Sequence, residues 1–366
     1  MKKQILNFLR THFCLSAANL SADMQQALSL KNADEIGAYV ATFETEFAKN
    51  CGVKFAMGVN SGTSALYFAL RALDIGPGDE VITTANTYIA TINAIRETGA
   101  TCKFVDIDIK TGLLDVGSLE AAFTAKTRAV VPVHMYGHPA PIRDIQVLCQ
   151  KYHLALVEDA CQAIGTEIDG RTAGTLGQMG CFSFHVNKLV GAPADGGMIV
   201  TNDRTLSTKL RLLTHISWHA ALESPQCRMP CRLPALAIPI LREKLRALPE
   251  VIANRQAQAL AYEAIIGELT NSWLLKPPSG GTPSFRSIIL VSEKIDQCRH
   301  VLSKNKWPAG PMYSHSVDFL GGLEKAGIDL PKTAYFLRHH LVLPSGNLVS
   351  LTEIEKIARA LKNAMT

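Results

Sequence analysis

The chain has 366 residues, 47% of them hydrophobic and 19% charged, with 37 basic against 32 acidic side chains. That length suggests roughly two domains, and the apolar fraction excludes an intrinsically disordered chain. A net charge of +5 spread over this length argues against nucleic acid or an anionic membrane as the partner. No run of about 18 apolar residues occurs, so no membrane-spanning helix is expected. Met1-Lys2-Lys3 resembles the start of a signal peptide, but Asn7, Arg10 and His12 interrupt the apolar stretch that follows. A helix start is expected there in place of a secretion signal. The nine cysteines are scattered, and Cys227 and Cys231, four apart, have no His or Cys cluster beside them. A reduced, cytoplasmic chain without structural zinc is expected.

From residue 55 onward β-rich runs alternate with helix-like stretches. Residues 55–59 read as β-like, and strands are expected at 81–84, 101–105, 129–133, 154–158, 180–184 and 198–201. Helices are expected at 64–73, 88–98, 116–123 and 142–152. This alternation predicts an α/β fold, a mainly parallel sheet flanked by helices. Residues 154–157, Leu-Ala-Leu-Val, are apolar throughout, as suits a strand buried on both faces. After residue 205 the pattern changes. A helix is expected at 206–213 and a loop at 217–234, which holds three prolines and two cysteines. A long helical region over 235–269 is expected to break at Pro239 and Pro249, before a Pro/Gly linker at 276–283. The last helix shows a capping box, Thr352-x-x-Glu355, and an apolar face of Ile354, Ile357, Ala358 and Leu361. The division expected is a large α/β domain over 1–235 and a smaller α+β C-terminal domain over 236–366.

Three segments carry chemistry. Asn60-Ser61-Gly62-Thr63-Ser64 follows a strand and opens a helix. Helix starts carry free N–H groups and partial positive charge, so Gly62 and the hydroxyls of Thr63 and Ser64 suit an anion. The same residues also read as an ordinary Ser/Thr cap. Asp159 ends the apolar run at 154–157, where open α/β sheets bind ligands. A carboxylate there needs a partner, such as a protonated pyridine nitrogen, unless it merely caps the next segment. Lys188, in Ser183-Phe184-His185-Val186-Asn187-Lys188, sits between an apolar strand and the Gly-rich Ala194-Asp195-Gly196-Gly197. Desolvation there would lower its pKa and let it form a Schiff base, although most lysines are solvated surface charges.

Jointly, a phosphate cradle, an Asp for a pyridine nitrogen and a Schiff-base lysine are the parts that hold pyridoxal phosphate. Their order resembles the DegT/DnrJ/StrS family of PLP-dependent sugar aminotransferases, of aminotransferase fold type I. Phe43-Glu44-x-Glu46-Phe47-Ala48, Gly76-Pro77-Gly78-Asp79-Glu80-Val81 and Pro132-Val133-His134-Met135-Tyr136-Gly137 are similar to further family segments. The resemblance is close over residues 35–215 and looser beyond. It implies that Lys188 is the catalytic lysine, binding the cofactor and moving the proton. It implies that Asp159 pairs with the ring nitrogen and Gln162 lies near the phenolic oxygen. Gly62, Thr63 and Ser183 would bind the phosphate and Tyr88 would stack on the ring. His185 and Tyr313 are candidates for the substrate side.

The resemblance implies transfer of an amino group from glutamate or glutamine to a keto-sugar, most often nucleotide-linked, by a homodimer with a shared active site. The alternatives are a cyclitol aminotransferase, a PLP- or PMP-dependent sugar dehydratase and a non-catalytic PLP-binding regulator. Dehydratases of the family carry His where this chain has Lys188. The chain departs from the family where an Asn usually reaches the partner's cofactor phosphate: Gln226 or Pro230 stands there. Ile216, after His215, replaces a usual Gly.

Overall fold

The computed structural model describes residues 17–214, 231–267, 269, 271–313 and 316–366. The expected N-terminal helix start, Cys227, Ile216 and the Gln226/Pro230 departure lie outside the described residues. Two helices, α1 (Ala17–Ser29) and α2 (Ala33–Cys51), open the described chain. Strands β1 (Phe55–Val59), β2 (Glu80–Thr84), β3 (Thr101–Val105), β4 (Thr127–Val130) and β5 (Ala155–Asp159) follow. Between them run α3 (Gly62–Ala72), α4 (Ile89–Glu97) and α5 (Ile142–Lys151), and the stretch expected at 116–123 is a short turn of helix over Val116–Leu119 with a 3-10 turn after it. The short β6 (Glu167–Ile168) and β7 (Arg171–Thr172) precede β8 (Met179–Ser183), β9 (Gly197–Thr201) and α6 (Arg204–Thr214).

Seven of these strands form one sheet in the order β1-β9-β8-β5-β4-β2-β3. Neighbours from β3 to β8 are parallel, while β9 is antiparallel to both β8 and β1. The mainly parallel α/β sheet expected from the sequence is therefore the one observed. β4 stops at Val130, short of the expected 133, because Pro132 has no N–H to give to a ladder. Its carbonyl still accepts the Asp159 N–H at 3.0 Å.

Both faces of the central strands are filled, which is why β5, β8 and β9 are buried nearly throughout, without alternation. Ile82, Val130, Leu156 and Phe182 point into one core with Phe43 and Phe47 of α2 and Ile145 of α5. Val81, Ala129, Val157 and Cys181 point into the other with Leu66 and Leu70 of α3 and Leu213 of α6. At one end of β9, Gly197 pairs with both Val59 and Ser183. A Cβ on Gly197 would lie 2.4 Å from the Ser61 carbonyl oxygen, so only glycine lets these strand ends converge.

α7 (Ile238–Ile266) is continuous, against the expected breaks. Pro239 lies in its first turn, where a missing N–H costs nothing. Pro249 lies inside the helix, and packing on both sides of it outweighs the lost bond. Ile238, Ile240 and Leu241 are in the first core, whereas Ala259, Tyr262 and Ile266 belong to a C-terminal core. That core covers a three-stranded antiparallel sheet of β10 (Ser272–Leu274), β12 (Ile288–Ser292) and β13 (His340–Leu343). In the expected linker, β11 (Gly281–Thr282) pairs with β6, so this stretch ties the C-terminal part to the large sheet's loops. The remaining helices are α8 (Ile295–Lys304), α9 (Ser316–Lys325), α10 (Pro331–His339) and α11 (Leu351–Met365). α11 buries Ile354, Ile357, Ala358 and Leu361 as expected, but Ser350 caps it, its side chain accepting the Glu353 N–H. The Ser-x-x-Glu pattern also fits two residues before the expected box. Among the described residues no helix is long and apolar enough to cross a membrane.

Candidate active site

A cavity of about 350 Å³ opens at the carboxyl ends of the parallel strands. All nine residues singled out from the sequence line it: Gly62, Thr63, Tyr88, Asp159, Gln162, Ser183, His185, Lys188 and Tyr313. They converge because each of the first eight follows or ends a strand of the large sheet. Tyr313 comes from the C-terminal part of the chain.

One end of the cavity is the start of α3. Ser61 caps that helix, its Oγ accepting the Ser64 N–H at 3.1 Å and its carbonyl the Ala65 N–H at 3.0 Å. The N–H groups of Gly62 and Thr63 are thus at the positive end of the helix beside the cavity. Ser64 does not join them, since its hydroxyl donates to Asn60 Oδ1 at 2.7 Å. Ser61 lines the cavity in its place. A Cβ on Gly62 would lie 2.8 Å from both Cys161 Sγ and Ser183 Cβ. Gly62→Ala must therefore push Ser183 or Cys161 aside, and overpacking of this kind costs about 1–3 kcal/mol. Equilibrium titration of the cofactor is expected to show affinity at least about tenfold weaker. Unchanged affinity would mean that the cofactor does not use this helix start.

At the other end, Asp159 is buried and held by two donors. Thr91 Oγ1 donates to its Oδ2 at 2.7 Å, and the Cys161 N–H donates to its Oδ1 at 3.1 Å. Thr87 in turn contacts Thr91 through their hydroxyls at 2.8 Å. The Gln162 amide is fixed at both atoms: Oε1 accepts the Tyr136 N–H at 3.1 Å and Nε2 donates to the Tyr313 hydroxyl at 2.6 Å. Tyr88 is 52% exposed, its ring centroid 5.2 Å from that of Tyr313, so the two rings shape the cavity mouth. His185 is exposed, with Nε2 3.9 Å from Asp195. Lys188 is half-buried, and its backbone N–H donates to the His185 carbonyl at 2.8 Å. Burial, and then the charge of Arg286, lower its pKa against the pull of Cys161 and Asp159. A lowered pKa raises the share of free amine, the form that attacks carbonyls and accepts protons.

Behind this site lies a fully buried pair. Glu158 accepts from His134 Nε2 at 2.9 Å and from the N–H groups of Gly174, Leu176 and Gly177. His134 Nδ1 accepts the Ala140 N–H at 2.9 Å, so the ring proton sits on Nε2. Burial alone would raise the Glu158 pKa, but these donors lower it below the usual value.

Thr91, the His134–Glu158 pair and Arg286 went unnoticed in the sequence. Thr87 and Thr91 are one helical turn apart at the start of α4, and consecutive acids end an apolar strand at Glu158-Asp159; both are readable signals. Arg286 offers none, because only tertiary structure brings it to Lys188.

The model of the DegT/DnrJ/EryC1/StrS aminotransferase family matches residues 16–362. The chain belongs to this family. The dTDP-3-amino-3,4,6-trideoxy-alpha-D-glucose transaminase of Streptomyces venezuelae is 34% identical over 314 residues, 85% of this chain and 83% of the relative. The UDP-N-acetyl-3-dehydro-alpha-D-glucosamine 3-aminotransferase of Acidithiobacillus ferrooxidans is 48% identical over 184 residues. That match spans 50% of each chain, so this chain covers about half the length of the relative. Among solved structures, S. venezuelae DesV, in complex with a ketimine intermediate, superposes with a TM-score of 0.87 at 31% identity. The superposition covers 100% of this chain and 97% of that one. DegT/DnrJ/EryC1/StrS aminotransferases depend on pyridoxal phosphate. The residues present fit that cofactor: a helix start with no room for a Cβ suits its phosphate, the buried Asp159 carboxylate its ring nitrogen and the Lys188 amine its aldehyde.

Proposed function

We propose that this chain is an aminotransferase that moves an amino group from glutamate or glutamine to a ketone on a sugar carried by a nucleotide. The observation that carries the reading is the one cavity, which joins a lysine amine of lowered pKa, a buried carboxylate and a helix start suited to phosphate. Pyridoxal phosphate, when bound, supplies an electron sink for the loss of a proton next to the transferred nitrogen. Asp159, oriented by Thr91 and the Cys161 N–H, holds the ring nitrogen in its protonated form. Gly62, Thr63 and Ser183 would bind the phosphate, Gln162 would hold the ring's oxygen edge and Tyr88 would cover a face. The Lys188 amine would be placed to take the proton from the donor's α-carbon and hand it on to the bound cofactor, and in the second half-reaction to carry one to the sugar carbon. His185 and Tyr313 face the substrate.

The nucleotide-sugar transaminases among the relatives support this substrate class. We further read the protein as cytoplasmic and as a homodimer with a shared active site. We read the larger part as residues 1–235 and the smaller as 236–366, with the first turns of α7 packed in the larger part's core and its end in the smaller one's. A second reading, a cofactor-binding regulator, is favoured by a pleiotropic regulatory protein of Geobacillus stearothermophilus, 36% identical over 74% of this chain and 73% of its own.

The test is the visible absorption of the cofactor-loaded protein before and after excess L-glutamate or L-glutamine. Bleaching of the band with release of the keto acid is expected. A band that persists with both donors would overturn the aminotransferase reading in favour of the regulator.

A further inference from the structure

Arg286 lies in the wall of the cavity, from a part of the chain nearly one hundred residues beyond Lys188. One Nη donates to the Asn187 carbonyl at 3.2 Å, the residue next to Lys188. The other donates to Ser287 Oγ at 3.0 Å and lies 3.7 Å from Met312 sulfur. Its Nε is buried and has no hydrogen-bond partner. Among the described residues no carboxylate pairs with it; burial lowers its pKa and the Tyr313 hydroxyl is the one influence that opposes this. Arg255 stands directly behind, donating to the Arg286 carbonyl at 2.9 Å, and its own Nε is also unpartnered. A half-buried guanidinium whose Nε is shut off without a partner is ready for an anion, and its planar fork matches a carboxylate in two-point contact.

We infer that Arg286 is the subsite for the α-carboxylate of the amino donor, and so sets the choice of an α-amino acid over other amines. This rests on the aminotransferase reading above. Covalent geometry favours the donor over the sugar. In an α-amino acid the nitrogen and the carboxylate share one carbon, so an amine that takes the place of the Lys188 amine brings its carboxylate within about 3–4 Å. A nucleotide-linked keto-sugar has its first phosphate several bonds from the ketone. The guanidinium is anchored to the carbonyl of the residue beside Lys188 and lines the same cavity, so it borders the place where the donor's amine must react. Once occupied, the fork would hold the donor's α-carbon still against the Lys188 amine, the positioning that proton transfer needs.

The test compares L-glutamate with its α-amide, L-isoglutamine, as donors to the cofactor-loaded protein. The native protein is expected to prefer glutamate by at least about a hundredfold. In Arg286→Gln that ratio is expected to collapse to within a few-fold of one, and Arg286→Lys, which keeps charge but not the fork, to recover part of it. A retained preference in Arg286→Gln would overturn the assignment. So would tenfold weaker cofactor binding, or weaker UDP and dTDP binding with the glutamate preference intact, because the guanidinium would then serve a phosphate. Calorimetric binding of α-methyl-L-glutamate, which has no α-proton to lose, gives a readout without turnover. Its affinity is expected to fall at least tenfold in Arg286→Gln, and an unchanged affinity would sink the subsite. If the native protein transfers no amine yet shows this dependence on Arg286, the transfer reading falls and the carboxylate site stands.

Discussion

Lys188→Ala is expected to abolish the trapping of cofactor by borohydride and to lower amine transfer by more than about 10⁴-fold. On the proposed roles two separate functions would end together: the nucleophile that holds the cofactor's aldehyde and the base that moves the proton. Fold stability should be almost unaffected. Lys188 takes part in no described ion pair through its amine, and burial disfavours its charge, so truncation removes a strained cation rather than a support. The measurement is borohydride reduction followed by peptide mapping, with thermal melting as a control. Cofactor trapped at a different lysine would show that the cavity has been assigned the wrong nucleophile.

His134→Ala should have the largest effect on stability. It strips Glu158 of one donor and leaves the fully buried carboxylate with three backbone N–H groups, a loss of about 1.5–3 kcal/mol for a hydrogen bond to a charged group, to which the vacated ring volume adds. The loss should depend on pH. The folded pKa of Glu158 lies below its unfolded value, so in the native protein its contribution is complete above about pH 4.5 and fades as pH falls through the folded pKa. In the variant, burial acts with less opposition and raises that pKa. The gap in stability between native and variant should therefore be wide at pH 7 and narrow as both carboxyls protonate. Denaturant unfolding at the two ends of this range reads it directly. A gap equal at both would trace the loss to the missing ring volume alone.

Much of the large sheet was legible because its strands are short apolar runs closed by polar or glycine residues. Residues 101–105 form the strand as expected, and 154–158 differs from β5 by one position. The errors came where packing overrules local preference. Pro249 sits within α7 since Leu245 and Leu248 on one side and Tyr262 on the other hold the helix in two cores. Thr352 lost the cap to Ser350 because the two motifs overlap in spacing. In the cavity, the residues legible beforehand are, Tyr313 apart, those that end or follow strands, where position in the sheet implies position in space. Thr91 is signalled only by its spacing from Thr87, and the contact of Arg286 with Asn187 is encoded by no local pattern.

The strand order also sets when the cavity can exist during synthesis. β1 lies at the edge of the sheet and has β9 as its one neighbour, with Val59 opposite Gly197. While the ribosome is still adding the intervening strands, β1 and the helix start that follows it have no partner. Contacts this distant in the chain are slow to form. The helix start at Gly62 can therefore take its place beside Ser183 only once both β8 and β9 have been made, since Gly197 pairs with the ends of β1 and β8. A ligand that uses this helix start would meet its complete site only after β9 has joined the sheet.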